Sequence, residues 1–503
     1  MALIPYLIKT FRGGVSDEND KGVAGAFKHG QGLDIHKRND SLSGKQAMAT
    51  IFGESFGIGE YGGTTQTGII NVFVPSSDGS LYAFSDRGSI WAMNPDGYWT
   101  FVYNDENGRI NGAAEWETND GNNYLYWATA SAIARKLLPG ATSAPDTGTA
   151  RWTDATQEYK VEFVSSAAAW HTMKPAAGSL YIANMEGISE LTFAGSWSPL
   201  IMNVRPGNMI NCLEERNDYL ILGSQREADE EEAHLWSWTP VATNWVEKKK
   251  IPVNAVNSLI YAELPLLQGG DNGEIFFSDF QSVVPLHGVP GGGLTSPHGV
   301  AIEDDLAIFG IYGGSSISYP GLWSYGRKRK NRPFALNYDY RLSPTVNGST
   351  VGTIGAVINF NGSLIASWVT EDSHTSGTTT EYGVDMVSAS TKATAIYEGL
   401  EFDAGQPFMK KWINSIKLNM KPLSSGTSIS VKFKLDNETA WRYAVLADNT
   451  TTFSQADATE TEFLLGKPGL VYEVGLELNP SSNDTPEILS ITSYLDSNRY
   501  EHG

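Results

Sequence analysis

One recurring pattern limits what this chain can fold into. A turn rich in Gly, Asn or Asp is followed by a short apolar strand, then by a second strand that often carries an aromatic residue. The unit recurs between residues 68 and 399 as "SSDGSLYAFSDRGSIWAM", "NDGNNYLYWATASAIARKL", "AAGSLYIANMEGISELTF", "RNDYLILGSQREADEEEAHLWSW", "ELPLLQGGDNGEIFFSD", "EDDLAIFGIYGGSSISYPGLWSY" and "FNGSLIASWVTEDSHTSGTTTEYGVDMVS". Unit centres lie roughly 40–60 residues apart, the spacing of four-stranded propeller blades. A strand such as "YLILGS" is apolar along its whole length and must be covered on both faces. A single unit cannot cover itself, whereas radial stacking of similar units can. About seven units are visible; six or eight are also compatible, because residues 140–164 blur one of them. The Trp-Asp pair of WD40 repeats and the glycine pairs of kelch repeats are missing, and a stack of β-sandwiches is the rival architecture.

Composition agrees with a strand-rich chain. At 503 residues the protein exceeds one ordinary core. Only 18% of residues are charged, while Gly (52), Tyr (22) and Trp (14) are abundant, a balance that favours strands and turns over helices. The fold class expected is all-β: a β-propeller with an extended N-terminal arm and a C-terminal antiparallel β-sandwich. The boundaries expected are 1–52 for the arm, 53–396 for the propeller and 397–503 for the sandwich.

The sandwich rests on the cleanest period-two alternation in the chain. Ile429, Val431, Phe433 and Leu435 fall on one face, and Ser430, Lys432 and Lys434 on the other. Further short strands follow, each bounded by Pro, Gly or Asn. The first fifty residues are different. Ile8, Phe11, Phe27, Leu33 and Ile35 are too few and too spread to make a core, but they suffice to dock onto a sheet edge of the same or a neighbouring subunit. On that reading, deleting residues 1–40 leaves the propeller folded and impairs assembly.

Motifs that could carry chemistry are weak. "GESFG" (residues 53–57) matches the Gly-x-Ser-x-Gly elbow around Ser55, yet no helix tolerates the glycines that follow. "GIGEYG" (57–62) matches a dinucleotide fingerprint without the βαβ unit that gives the fingerprint meaning. His287 and His298 flank "PGGGLTSP" and could share a loop mouth, but eight scattered histidines show no metal-ligand spacing. "SDRGSIW" approaches the sialidase Asp-box with its Asp one position early. Cys212, the single cysteine, reads as a small buried apolar residue. No catalytic residue, cofactor or metal is expected.

Charge constrains the partners. The net charge of −21 argues against gripping nucleic acid, since that affinity comes from Lys and Arg on phosphates. It remains compatible with DNA passing by a repelling wall. No 18-residue apolar stretch is present, so membrane insertion is not expected. The acidic run at Glu230 and Glu231 and the basic run at Arg327, Lys328 and Arg329 suit complementary contacts between neighbouring subunits.

Two ends of the chain resemble a known family. "MALIPYLIKTFRGGVS" and "GAFKHGQGLDIHKRNDSLS" resemble the opening of tail nozzle and tail-tube proteins of short-tailed bacteriophages, and "AGQPFMKKWINSIKLNMKPLSSGTSISVKFKLDNETAW" is similar to β-sandwich modules of phage virion proteins. The resemblance covers about a fifth of the chain. It implies a non-enzymatic virion subunit of the tail or head-to-tail region, made in the host cytoplasm. It further implies a homo-oligomeric ring, a hexamer by family expectation, with other tail or connector proteins as partners and DNA passing without specific binding. The alternative is a receptor-binding or decoration protein whose sandwich holds glycan through Trp441 and Tyr443. A third reading is a propeller glycan hydrolase or lyase.

Overall fold

The computed structural model describes all residues except 1–3, 17, 19–21, 38–39, 54–67, 106–107, 131, 139–169, 218, 227–231, 314–318, 344–350, 371–380, 406, 437 and 497–503. No helix occurs among the described residues, so none is long and apolar enough to cross a membrane. The fold is all-β, as expected, with nine sheets among the described residues.

Seven small antiparallel sheets follow one another in chain order. The first runs Ile70–Pro75, Leu81–Ser85, Ser89–Met93, Trp99–Asn104. The opening strands of the seven sheets are Ile70–Pro75, Ile110–Glu117, Met173–Ala176, Asn208–Arg216, Val256–Tyr261, Val300–Glu303 and Val351–Phe360. Each opening strand lies beside the next, and the seventh lies beside the first, so the sheets close a ring. Among the apolar second strands anticipated from the repeats, Leu81–Ser85, Ser179–Asn184 and Leu306–Ile311 are buried at every residue. Separate cores fill the gaps between adjacent sheets, as where Leu213, Leu220 and Trp236 meet Tyr181 and Ile188.

Polar side chains stitch the opening strands together around the ring. Asn71 Nδ2 donates to the Ile110 carbonyl (2.9 Å), Thr172 Oγ1 to Asn211 (3.4 Å) and Asn211 Nδ2 to Val256 (3.2 Å). Ser258 and Thr295 hydroxyls meet at 2.7 Å, Ser296 Oγ donates to the Ile354 carbonyl (2.5 Å), and Ser367 Oγ to Ile70 (2.6 Å). At the second-to-third junction, His171 Nε2 lies 3.4 Å from the Ala130 carbonyl. Pairing register slips around Asn71, Asn111, Asn211 and Asn257, placing each at a β-bulge. A bulge frees one residue from its own ladder and re-aims its side chain. The dipeptides Ile70-Asn71, Ile110-Asn111, Ile210-Asn211 and Val256-Asn257 are the repeat signature that the turn-and-strand reading passed over.

The termini depart from the expected boundaries. Strand Gln46–Gly53, placed in the arm by sequence, is the fourth strand of the seventh sheet and pairs with Tyr382–Lys392. The last two sheets face each other as a sandwich built from both chain ends. One runs Glu460–Gly469, Lys411–Met420, Glu487–Asp496, Leu42–Gly44, Leu33–Asp34, with Ile4–Ile8 also paired to Glu487–Asp496. The other contains Gly14–Val15, Ala26–Gln31, Ala395–Gly399, Tyr472–Asn479 and Ser428–Leu435. Not every ladder is antiparallel, since Gly14–Val15 and Ala26–Phe27 pair in parallel. The chain thus enters the sandwich, leaves for the ring, and returns. The two crossings touch: the Ala393 amide donates to the Lys45 carbonyl at 3.1 Å.

Candidate functional site

The seam where arm, ring and sandwich meet gathers most of the residues singled out in the sequence. Phe11, Phe27, Leu33 and Ile35 are all buried, in one core with Ile429, Val431 and Phe433 of the sandwich and Trp323, Ala335 and Leu336 of the sixth ring sheet. Ile8 is half-buried against the same core and pairs with Ile491. Phe11 and Phe27 both contact the buried Tyr397 ring, at 5.7 and 5.6 Å between centroids. Of the two sites expected for this docking, a sheet edge of the same subunit or of a neighbour, the structure shows the first: Phe11, Phe27, Leu33 and Ile35 are buried within their own chain. Sequence alone could not tell the edge of its own sandwich from that of a neighbour.

A buried charge pins the same seam. Lys45 lies between the last arm strand and Gln46–Gly53, and its Nζ sits 2.6 Å from Asp339 of the sixth sheet and 3.7 Å from Glu303. The ammonium also lies 4.7 Å from the centre of the Tyr340 ring, and Tyr340 donates to Glu303 at 3.2 Å. Burial works against the charged lysine, but Asp339, Tyr340 and Glu303 together hold its pKa above the ordinary value. Asn337, fully buried, donates to the Leu33 carbonyl at 2.8 Å and ties the arm backbone to the same strand. A cavity of about 340 Å³ opens beside this lock, lined by Gln31, Gln46, Met48, Asp339, Tyr340 and Arg341 among others.

The basic run is held within the chain. Arg327 forms a two-pronged pair with Glu263 and lies over the Phe334 ring, and Lys328 reaches Asp304 at 2.8 Å. Arg332 and Arg12 both pair with Asp40, the latter at 2.6 Å. Arg329 stays exposed. Within the chain, the carboxylates that meet Arg327 and Lys328 are thus Glu263 and Asp304. Glu230 and Glu231 lie outside the described residues, as do Ser55 and residues 57–62 of the two glycine motifs; the adjoining Glu232 pairs with Lys250.

Trp441 and Tyr443 are on the outer face of the sandwich. Lys434 and Lys432 lie 4.6 and 5.6 Å from the Trp441 ring centre, and the Tyr443 hydroxyl donates to Glu477 at 3.2 Å. Both ammonium groups thus lie within cation–π distance of the indole.

His287 and His298 do not share a mouth. His287 lies tilted against the Tyr325 ring, with 5.6 Å between centroids. His298 precedes the opening strand of the sixth sheet and meets Trp170, which precedes that of the third, at 6.1 Å. Arg109, leading into the second sheet, lies 4.9 Å from the same Trp170 ring. Side chains from three sheets therefore meet across the ring axis at one end. Burial, and then the Lys174 charge, lower the His298 pKa to about 4, so the ring is neutral near pH 7. Cys212 is buried and burial raises its pKa, which keeps it a protonated, packed thiol. Among the described residues no three His, Cys, Asp or Glu side chains converge as a metal site.

No family model matches the chain, and no curated protein matches it. Similar solved structures include the extracellular domain of the putative hybrid two-component system BT4673 from B. thetaiotaomicron (TM-score 0.44, 14% identity). That alignment covers 80% of this chain, which spans 44% of the length of that protein's chain. Others are a chain of the Mitotic Checkpoint Complex (TM-score 0.40, 11% identity, 63% of this chain and 90% of that one) and virginiamycin B lyase from Staphylococcus aureus (TM-score 0.40, 10% identity, 63% and 95%).

Proposed function

We propose that the chain is a structural subunit of a tailed-bacteriophage virion, in the tail or head-to-tail region, acting through oligomeric contacts rather than catalysis. One observation carries the reading. The two stretches that resemble phage virion proteins, at the start of the chain and in its last hundred residues, fold together into one sandwich with the ring inserted between them. Two remote segments with one family likeness behave as parts of a single module.

Charge fits a conduit role. A ring of six copies carries 6 × −21 = −126 formal charges, a wall that repels DNA instead of binding it. DNA would pass between copies and not along the axis of one chain's ring. His298 and Trp170 meet across that axis, and a duplex whose major groove alone is about 12 Å wide has no passage there.

Electron microscopy of purified particles labelled with antibody to the chain tests the proposal. Label is expected on the portal-to-tail axis. Label elsewhere on the particle, or particles free of the chain, overturns it.

A further inference from the structure

We infer that the outer edge of the N-terminal strand is an interface for a second copy of this chain, entered by the Phe408–Met409 loop of that copy. Strand Ile4–Ile8 pairs with Glu487–Asp496 on one side and, among the described residues, with no strand on the other. Pro5, which has no amide hydrogen to donate, blunts this edge as a template for strand pairing, but Pro5, Tyr6 and Leu7 are apolar or aromatic and exposed, so it is their side chains that offer a surface to cover. Tyr6 stacks flat on Phe402 with centroids 4.1 Å apart, which holds it in place without covering its outer side.

Two grooves flank Tyr6. The first, about 540 Å³, is lined by Pro5, Tyr6, Phe402 and Val471 with Glu401 and Asp403 on its rim. The second, about 560 Å³, lies between the strand and the turn that contains Val23, itself 57% exposed. Both volumes fall in the range of sites that bury side chains or small ligands.

The matching knob is on the same molecule. Phe408 is 95% exposed and Met409 42% exposed, in the loop that leads into strand Lys411–Met420 of the same sheet. A phenylalanine left almost wholly in water is a large apolar cost for one residue. Lys410, beside the knob, is exposed, and the first groove carries the acidic Glu401 and Asp403. Apolar knob meets apolar groove, and cation meets carboxylate. Knob and groove do not meet within the chain, and their complementarity points to another copy as the occupant. The inference does not depend on the virion reading: it would hold for any self-associating protein with this surface.

Light scattering of the full chain across a concentration series is the test. The wild type should associate in a concentration-dependent way. Phe408→Asp should weaken association at least tenfold while leaving the circular dichroism spectrum and melting temperature unchanged, because the side chain packs on nothing in its own chain. Lys410→Glu should weaken it less and be rescued in part by Asp403→Lys. A wild type that stays monomeric throughout, or Phe408→Asp that associates as the wild type does, overturns the inference.

Discussion

Lys45 shows how much a single residue at the seam can decide. Its ammonium is taken out of water and depends on Asp339 at 2.6 Å for compensation. Removing one member of such a pair strands the other, at a cost of about 3–5 kcal/mol. Asp339→Asn should therefore lower the unfolding free energy obtained from urea titration by an amount in that range, whereas the exposed Lys328–Asp304 pair, broken by Lys328→Ala, should cost under about 1 kcal/mol. Equal effects of the two substitutions would show that the buried pair is not a lock. The buried imidazoles set a second expectation. Burial, assisted by nearby cations, holds the pKa of His29, His36 and His298 at about 4, against 6.5 for an exposed ring. A base depressed on folding takes up protons more readily when unfolded. Its stability contribution is complete above pH 6.5 and is lost as pH falls from 6.5 towards 4, on the order of 3 kcal/mol for each ring. His298→Gln should flatten the stability–pH curve over that window, measured by denaturant titration; an unchanged slope would count against a buried neutral imidazole.

At the scale of elements, the junctions between opening strands are the tightest places in the ring. A Cβ on Gly112 would sit 1.8 Å from the His171 carbonyl oxygen, and one on Gly355 would sit 2.0 Å from that of Ile70. Backbone cannot yield as a side-chain tip can, so Gly355→Ala should destabilise by about 1–3 kcal/mol through overpacking. Ser367→Ala loses the hydroxyl bond to the Ile70 carbonyl and the one accepted from the Ala356 amide, and should cost about 1 kcal/mol for each. Thermal melts of both variants check these magnitudes. The arm behaves as an element of the sandwich and not as a leader. Deleting residues 1–40 removes Phe11, Phe27, Leu33 and Ile35 from a shared core, so the structure calls for a damaged sandwich where the sequence suggested an intact propeller with an assembly defect. Near-ultraviolet circular dichroism of the truncated chain distinguishes the two outcomes.

For the whole molecule, the continuity of the core matters most. Sandwich residues such as Val431 and Leu476 share one cluster with Phe309 and Trp323 of the sixth ring sheet. Coupling of that kind makes ring and sandwich unfold together. Calorimetry should show one transition, and two resolved transitions would mean that the seam is weaker than its burial implies. Much of this was legible beforehand. The strand class, the repeat and the sandwich alternation depend on local features: period-two burial, turn residues with positive φ such as Gly79 and Gly88, and apolar runs that need covering on both faces. The Asn bulges were legible too, but only to a search for Ile-Asn recurring at the starts of units. What the tertiary structure alone decided is pairing. An edge strand offers the same amides and carbonyls to any partner, so nothing in "MALIPYLIKTFRGGVS" could say which edge it completes, nor that Gln46–Gly53 closes the ring. Those choices follow from which edges the rest of the fold leaves open and near, and from where Asp339 waits for Lys45.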